Sequence, residues 1–234
     1  MRRSHDHLGE DELARRDALL MDRGPDWWHT FYQDRARPVP FFGTAPDESL
    51  VAWADTQRGH AGRALDLGCG NGRNAVFLAS RGFAVDAVDH AAAAADWARQ
   101  HAAQAGASVN VLQASVFDLQ LAPGHFDLIY DAGCFHHLPP HRRRGYVDLV
   151  STALAPGGWF GLSCFRPEGG SGFTDDEVYE RRSLGGGLGY TEPCLRAIWS
   201  AGLQVRSVRP MVKKQPDSGL FGEPFLWALL AQKA

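Results

Sequence analysis

Four cysteines in 234 residues, at positions 69, 134, 164 and 194, are too few and too scattered for a disulfide scaffold, and no pair has structural-zinc spacing. Free thiols, no metal and a reducing cytoplasm are therefore expected. Charge of one sign is also lacking. The 24 Lys and Arg stand against 27 Asp and Glu, a formal −3, so the chain has no basic footprint for nucleic acid. No apolar run reaches the roughly 20 residues of a membrane span. Arg2-Arg3 is followed by Ser4-His5-Asp6-His7, polar where a twin-arginine export signal requires an apolar stretch. Neither nucleic acid nor membrane is expected as a partner, no internal repeat is found, and a homodimer stays open. What the chain does have is 44% hydrophobic residues, enough for one enzyme domain with its core around a single sheet.

The most informative stretch is Ala64-Leu65-Asp66-Leu67-Gly68-Cys69-Gly70-Asn71-Gly72, a short apolar run ending in an acid and three alternate glycines. Glycine lets a chain turn sharply after a buried strand and approach a ligand with no Cβ in the way. An ordinary tight turn is the plainer alternative. A dinucleotide fingerprint wants its third glycine at the sixth place, which is Arg73 here, whereas this run puts it at the fifth. That points away from a nicotinamide cofactor. A second strand-like run, Phe83 to Val88, ends at Asp89, where a doubly wound fold presents a carboxylate to ribose hydroxyls. An alanine-rich helical segment (Ala91 to Ala105), a strand (Val109 to Gln113) and a polar turn (Ala114 to Asp118) follow. A fourth strand then runs from His125 to Tyr130 into Asp131-Ala132-Gly133-Cys134-Phe135-His136-His137-Leu138. In open α/β sheets, ligands bind outside the carboxyl ends of the strands. A helix from Pro140 to about Leu154, a break at Ala155-Pro156-Gly157-Gly158 and a fifth strand from Trp159 to Cys164 complete the alternation that implies a parallel sheet with helices on both faces.

On the acid followed by Gly-x-Gly-x-Gly, the chain resembles the class I S-adenosylmethionine-dependent methyltransferases. The resemblance implies an α/β, Rossmann-like fold: a seven-stranded, mostly parallel sheet with an antiparallel last strand, helices on both faces and an N-terminal helical cap. Residues 1–60 would form the cap segment and 61–234 the methyltransferase domain, with 166–190 a lid-like insertion. It implies that Asp66, Gly68, Cys69, Gly70 and Gly72 cradle the cofactor, that Asp89 and the adjacent His90 meet the ribose, and that Ser115, Val116 and Phe117 meet the adenine. Asp131 would lie near the methionine part. Many members carry an acid at the place of Ser115, so this sequence departs from the pattern there. It also lacks the Asn/Asp-Pro-Pro-Tyr signature of amino-methylating enzymes and the Pro-Cys nucleophile of cytosine C5 enzymes, which leaves Cys134 a small apolar role.

Two segments outside that frame are read as setting the substrate. The first is the aromatic run Asp26-Trp27-Trp28-His29-Thr30-Phe31-Tyr32 with Phe41, preceded by an amphipathic stretch from Leu13 to Met21. A helix packed on the sheet edge is the plainer reading of it. Likeness to thiopurine and tellurite methyltransferases instead makes it a cover over the cofactor, with Tyr32 on the cofactor and Trp28 and Phe41 on the acceptor. The second is 166–190, where Thr174-Asp175-Asp176-Glu177 is a capping box between glycine-rich loops and Tyr190 is a further acceptor contact. Arg142-Arg143-Arg144 read as a solvated helix face. His136 and His137 are the candidate catalytic residues, as base or substrate orienter. Neighbours on an extended loop point apart, so one of the two is expected to face the acceptor. The implied activity is in-line transfer of a methyl group from S-adenosylmethionine, yielding S-adenosylhomocysteine, to a small-molecule acceptor such as a specialised metabolite. A peptide or protein acceptor, or a cofactor-binding domain that transfers no methyl, are the alternatives.

Overall fold

The computed structural model describes residues 8–20, 23–57 and 62–234; Arg2-Arg3 and Met21 lie outside the described residues. Seven strands form one sheet in the order β3-β2-β1-β4-β5-β7-β6. They are β1 (Arg63–Leu67), β2 (Ala84–Asp89), β3 (Val109–Gln113), β4 (Phe126–Ala132), β5 (Leu154–Phe165), β6 (Gln204–Pro210) and β7 (Leu226–Gln232). The first five strands pair in parallel, and β7 runs antiparallel to both β5 and β6. This is the expected Rossmann-like sheet. The direction of extension changes between β1 and β4, and the carboxyl ends of both strands open onto that point.

Alternation along each strand builds two cores. Leu65, Leu67 and Ile129 face a core with α6 (Arg143–Ala153) and α8 (Glu192–Trp199), in which Trp199, Tyr146 and Phe160 are fully buried. Ala64, Leu128 and Tyr130 face the opposite side, against Leu50 and Trp53 of α3 (Glu48–Thr56), Leu78 of α4 (Arg73–Ser80) and Ala98 of α5 (Ala92–Gln104). A period of two in the strands thus meets a period of about 3.6 in the helices on each face. Caps fix the helix starts. Thr191 accepts from the Cys194 amide at α8, and the capping box of Thr174 and Glu177 opens α7 (Asp175–Arg181).

Two local readings are corrected. The helix ends at Ala153 as expected, but the fifth strand begins before Trp159: β5 starts at Leu154, pairs it with Phe126, and absorbs the Pro-Gly-Gly as a register shift before Trp159 pairs with Leu128. Arg142 and Arg143 are not a solvated face. Arg142 pairs with Asp17 of α1 (Glu10–Asp17), and Arg143 pairs with Asp175 and donates to the Tyr190 hydroxyl at 3.1 Å. These arginines tie the N-terminal segment and the 166–190 insertion to the start of α6. Asp17 also takes a 2.8 Å bond from His141 Nε2, whose Nδ1 lies 2.9 Å from the Tyr179 hydroxyl on α7. A guanidinium finds partners across more than a hundred residues of sequence, which no local pattern encodes.

Candidate active site

The site is built on the turn that ends β1. Gly68, Gly70 and Gly72 have φ of +66°, +54° and +77°, the left-handed region that side chains disfavour. Space excludes a side chain as well. A Cβ on Gly68 would sit 2.7 Å from that of Cys134, and one on Gly72 would sit 2.9 Å from that of Ala98. The first contact presses the turn after β1 against the loop after β4, and the second seats α4 on α5. The Gly70 amide donates to Asp89 Oδ2 at 2.9 Å and the Ala91 amide to Oδ1 at 2.9 Å, so this buried carboxylate is held rigidly at the end of β2. Burial pushes its pKa up, and the two amides pull the other way. A carboxylate has about four lone-pair directions, so Asp89 retains capacity to accept from hydroxyls at the rim of the cavity it lines.

That cavity measures about 530 Å³, within the range of small-molecule sites. It lies along the carboxyl ends of β1 to β5. Its wall includes Gly68, Asp89, His90, Ser115, Val116 and Phe117 together with Trp28, Phe41, His136, His137, Phe165 and Phe225. Tyr32 and Cys134 also line it. Ser115 accepts from the Phe117 amide at 3.2 Å, which uses one lone pair and leaves its hydroxyl proton to donate. The Cys134 thiol is pushed up by burial and by the nearby Asp131 and Asp89 carboxylates, so it stays protonated and small.

Other residues expected at the cofactor sit behind this surface. Asp66 is 1% exposed and away from the lining; neither oxygen has a hydrogen-bond partner among the described residues. Burial raises its pKa to about 7, with Arg73 opposing and Asp47 and Asp131 reinforcing. Asp131 is fully buried and fixes the loop itself, accepting from the Cys134 amide at 2.8 Å, the Phe135 amide at 3.0 Å and the Tyr146 hydroxyl at 2.6 Å. Cys69, Gly70 and Gly72 shape the turn without lining the cavity. Tyr190 is corrected from substrate contact to support. Its hydroxyl takes the Arg143 bond, its carbonyl accepts from the Trp227 indole at 2.7 Å, and its ring packs 5.1 Å from that of Phe135.

The two histidines depart from expectation in an informative way. Residues Phe135–His137 form a tight 3₁₀ turn rather than an extended loop, so neighbouring side chains converge and both rings line the cavity. Their Nε2 atoms lie 3.1 Å apart. The Phe165 amide donates to His136 Nδ1 at 3.2 Å, the Phe165 ring stacks on His136 at 3.7 Å, and Trp28 meets His137 edge-on at 4.6 Å. Burial lowers the pKa of both, that of His137 to about 3 with help from the positive charge of Arg23 and from His90. Both rings are neutral at physiological pH.

Sequence reasoning missed Arg73, Ser163 and Phe165 at the cavity wall. Arg73 forms a buried ion pair with Asp47 and lies 4.3 Å over the Phe221 ring. Asp47 Oδ2 accepts from Ser163 Oγ at 2.7 Å and from the Tyr130 hydroxyl at 2.8 Å. An arginine directly after a glycine turn, at the first position of α4, was the available signal: a cation there opposes the helix dipole and so needs an acid nearby.

Residues 64–158 match a family described as a methyltransferase domain. A 2-heptyl-1-hydroxyquinolin-4(1H)-one methyltransferase of Mycobacteroides abscessus is 32% identical over 123 residues, 52% of this chain and 53% of that protein. A ubiquinone biosynthesis O-methyltransferase of Thiobacillus denitrificans is 34% identical over 111 residues, 47% of each. The chain thus spans about half the length of these curated relatives. Among solved structures, one of the conversion of a disulfide bond into a thioacetal group during echinomycin biosynthesis superposes with a TM-score of 0.70 at 21% identity, covering 90% of this chain and 93% of that one. The 1,6-didemethyltoxoflavin-N1-methyltransferase of Burkholderia thailandensis, with 1,6-didemethyltoxoflavin and S-adenosylhomocysteine bound, gives 0.62 at 21% identity, covering 99% and 93%. At these identities the structural likeness is one of fold.

Proposed function

We propose that this chain is a class I S-adenosylmethionine-dependent methyltransferase and that it methylates a flat, largely apolar small molecule bound beneath its N-terminal segment. The observation that carries this reading is the continuity of one cavity of about 530 Å³ from the Asp89 rim to an aromatic wall of Trp28, Phe41, Phe165 and Phe225. The residues present fit the cofactor. Asp89 keeps free lone pairs at the cavity, Ser115 keeps a free proton, and the Gly68 turn leaves no space for a Cβ. Asp89 would hold ribose hydroxyls, Ser115 with the Phe117 ring would hold the base, and the Gly68 turn would admit the amino-acid part.

The bound cofactor supplies a methyl carbon on a sulfonium sulfur: the acceptor's lone pair forms the new bond as the carbon–sulfur pair returns to sulfur, leaving S-adenosylhomocysteine. The chain's own share is positioning and exclusion of water, which account for much of the barrier reduction in such a displacement. Trp28, Phe41 and Phe165 present ring faces and edges that hold a planar acceptor. Arg23 donates to the Gly186 carbonyl at 3.1 Å and so joins the N-terminal segment to the 166–190 insertion across the cavity. The named relatives act on a hydroxyquinolinone and in ubiquinone biosynthesis, and the toxoflavin enzyme binds a planar heterocycle, which supports a heteroaromatic acceptor. Four free cysteines fit the reducing cytoplasm proposed for it. Among the described residues no helix is long and apolar enough to cross a membrane.

The test is methyl transfer from labelled S-adenosylmethionine to a panel of planar hydroxylated and nitrogen heterocycles, with basic peptides alongside. Label on heterocycles is the expected result. Label on peptides alone would overturn the acceptor assignment.

A further inference from the structure

The histidine pair fixes which way its protons point, and that restricts what the acceptor brings to the reaction. Four ring nitrogens are involved. His136 Nδ1 receives the Phe165 N–H at 3.2 Å, so it carries no proton. His136, 4% exposed and stacked on Phe165, is neutral, and its single proton therefore sits on Nε2. That N–H points at His137 Nε2, 3.1 Å away, which must accept it. A neutral His137 then keeps its own proton on Nδ1. No other arrangement is consistent. A proton on His137 Nε2 would set two N–H groups head to head, and a cationic ring at either position would need a second acceptor that neither Nε2 provides. The charges that act on His137 come from Arg23 of the N-terminal segment and His90 after β2, and the protonated Cys134 lies in the same loop; Asp17, Asp89 and Arg73 also line the cavity but are bonded to His141, the Gly70 amide and Asp47. Among the described residues the side-chain hydrogen bond of His137 is the one at Nε2, so its Nδ1 has no protein partner there. Its ring lines the cavity beside Trp28.

We propose that this pair acts as a hydrogen-bond donor and not as a base: His136 is a positioning residue that sets the tautomer of His137, and His137 offers its Nδ1 proton to a lone pair on the acceptor. The proposal rests on the methyl-transfer reading above and deepens it. With no bare basic nitrogen left on either ring, the pair cannot deprotonate an ordinary alcohol. The acceptor class is a planar heterocycle with a carbonyl oxygen, oxyanion or pyridine-type nitrogen for the Nδ1 proton. Its reacting atom already has a free lone pair at neutral pH, as a ring nitrogen, an amine or an ionised acidic hydroxyl does. Where the reacting nitrogen carries a proton, that proton leaves to water after transfer; an oxyanion ends neutral and releases none.

Long-range ¹H–¹⁵N correlation on the full chain, labelled uniformly with ¹⁵N, reads the tautomers directly. The spectrum is expected to show His136 protonated on Nε2 and His137 protonated on Nδ1, unchanged from pH 5 to 8. His137 protonated on Nε2, or either ring titrating near its ordinary value, would overturn the proposal. Two variants test the positioning role. H136Q keeps a carbonyl for the Phe165 amide and an N–H for His137, so the His137 pattern should persist. H136L should average it between tautomers; persistence in H136L would overturn the role given to His136. If neither variant folds, the wild-type spectrum still decides the proposal. None of these readings requires cofactor, so failure to bind S-adenosylmethionine would sink the methyl-transfer reading separately.

Discussion

Asp47 is the most exacting place to disturb this protein. Its carboxylate is fully buried, pairs with Arg73, and accepts from the Tyr130 and Ser163 hydroxyls; its backbone amide donates to Asn74 Oδ1 at 3.0 Å. In Asp47→Ala the Arg73 side chain, 7% exposed, would keep only the Ala45 carbonyl at 3.0 Å and the Phe221 ring, leaving a charge without its counter-ion. Removing one partner of a buried pair costs about 3–5 kcal/mol. The Tyr130 and Ser163 hydroxyls lose their shared acceptor but keep each other at 3.2 Å, and Tyr130 keeps Ser49 Oγ at 3.2 Å, so together they add only about 1 kcal/mol. Against a whole-protein stability of about 5–15 kcal/mol, a loss of about 5 kcal/mol is expected, which is about 10–20 °C in melting temperature for a chain this size. Asp47→Asn keeps an acceptor and should lose about half as much. Urea unfolding of both variants and of Arg73→Ala measures this, and the double variant should be about 2 kcal/mol more stable than additivity predicts. A loss below about 1 kcal/mol for Asp47→Ala would refute the argument that the pair is buried and uncompensated.

Two further outcomes follow from buried groups near the glycine turn. Asp66 is protonated in the folded chain up to about pH 7 and, in the unfolded chain, only up to its ordinary 3.8, so the folded state holds the extra proton between those limits. Its contribution is therefore greatest below about pH 4 and is lost as pH rises toward 7. At about 1.4 kcal/mol per pH unit, the interval bounds the effect at about 4 kcal/mol. The stability difference between Asp66→Asn and wild type should shift in the variant's favour from pH 4 to 8, and a flat difference in urea unfolding would contradict this. Gly68→Ala combines left-handed backbone strain with the 2.7 Å clash against Cys134, for a loss of about 2–4 kcal/mol. Gly82→Ala, with φ of +91° and open space around it, should lose about 1–2 kcal/mol from strain alone. Equal losses in thermal melts would mean that the Gly68 contact is soft.

Sequence was legible where local rules decide the structure. The strand ends, the left-handed glycines, the carboxylate at the end of β2 and the capping box of α7 each follow from a few adjacent residues. So did the overall sheet, because alternating strand and helix permits few other arrangements. What escaped depended on distant partners. Asp131 looked like a cofactor ligand from its place near the carboxyl end of β4, yet Tyr146, fifteen residues away, and two loop amides turn it inward. Arg142 and Arg143 looked solvated until Asp17 and Asp175 came within reach. His136 and His137 read as neighbours on an extended loop, while Asp131, accepting from the Cys134 and Phe135 amides, winds the segment into a turn. Asp66, expected to help cradle the cofactor, lies in the structure beneath the turn and away from the cavity surface.

The central claim is that the Asp89 end of the cavity takes S-adenosylmethionine, and calorimetric titration of the full chain tests it most directly. S-adenosylmethionine and S-adenosylhomocysteine should both bind, NADH should not, and Asp89→Ala should weaken binding of the first two at least tenfold, about 1.4 kcal/mol, with the melting temperature little changed. Binding of neither, or undiminished binding by Asp89→Ala, would contradict the account.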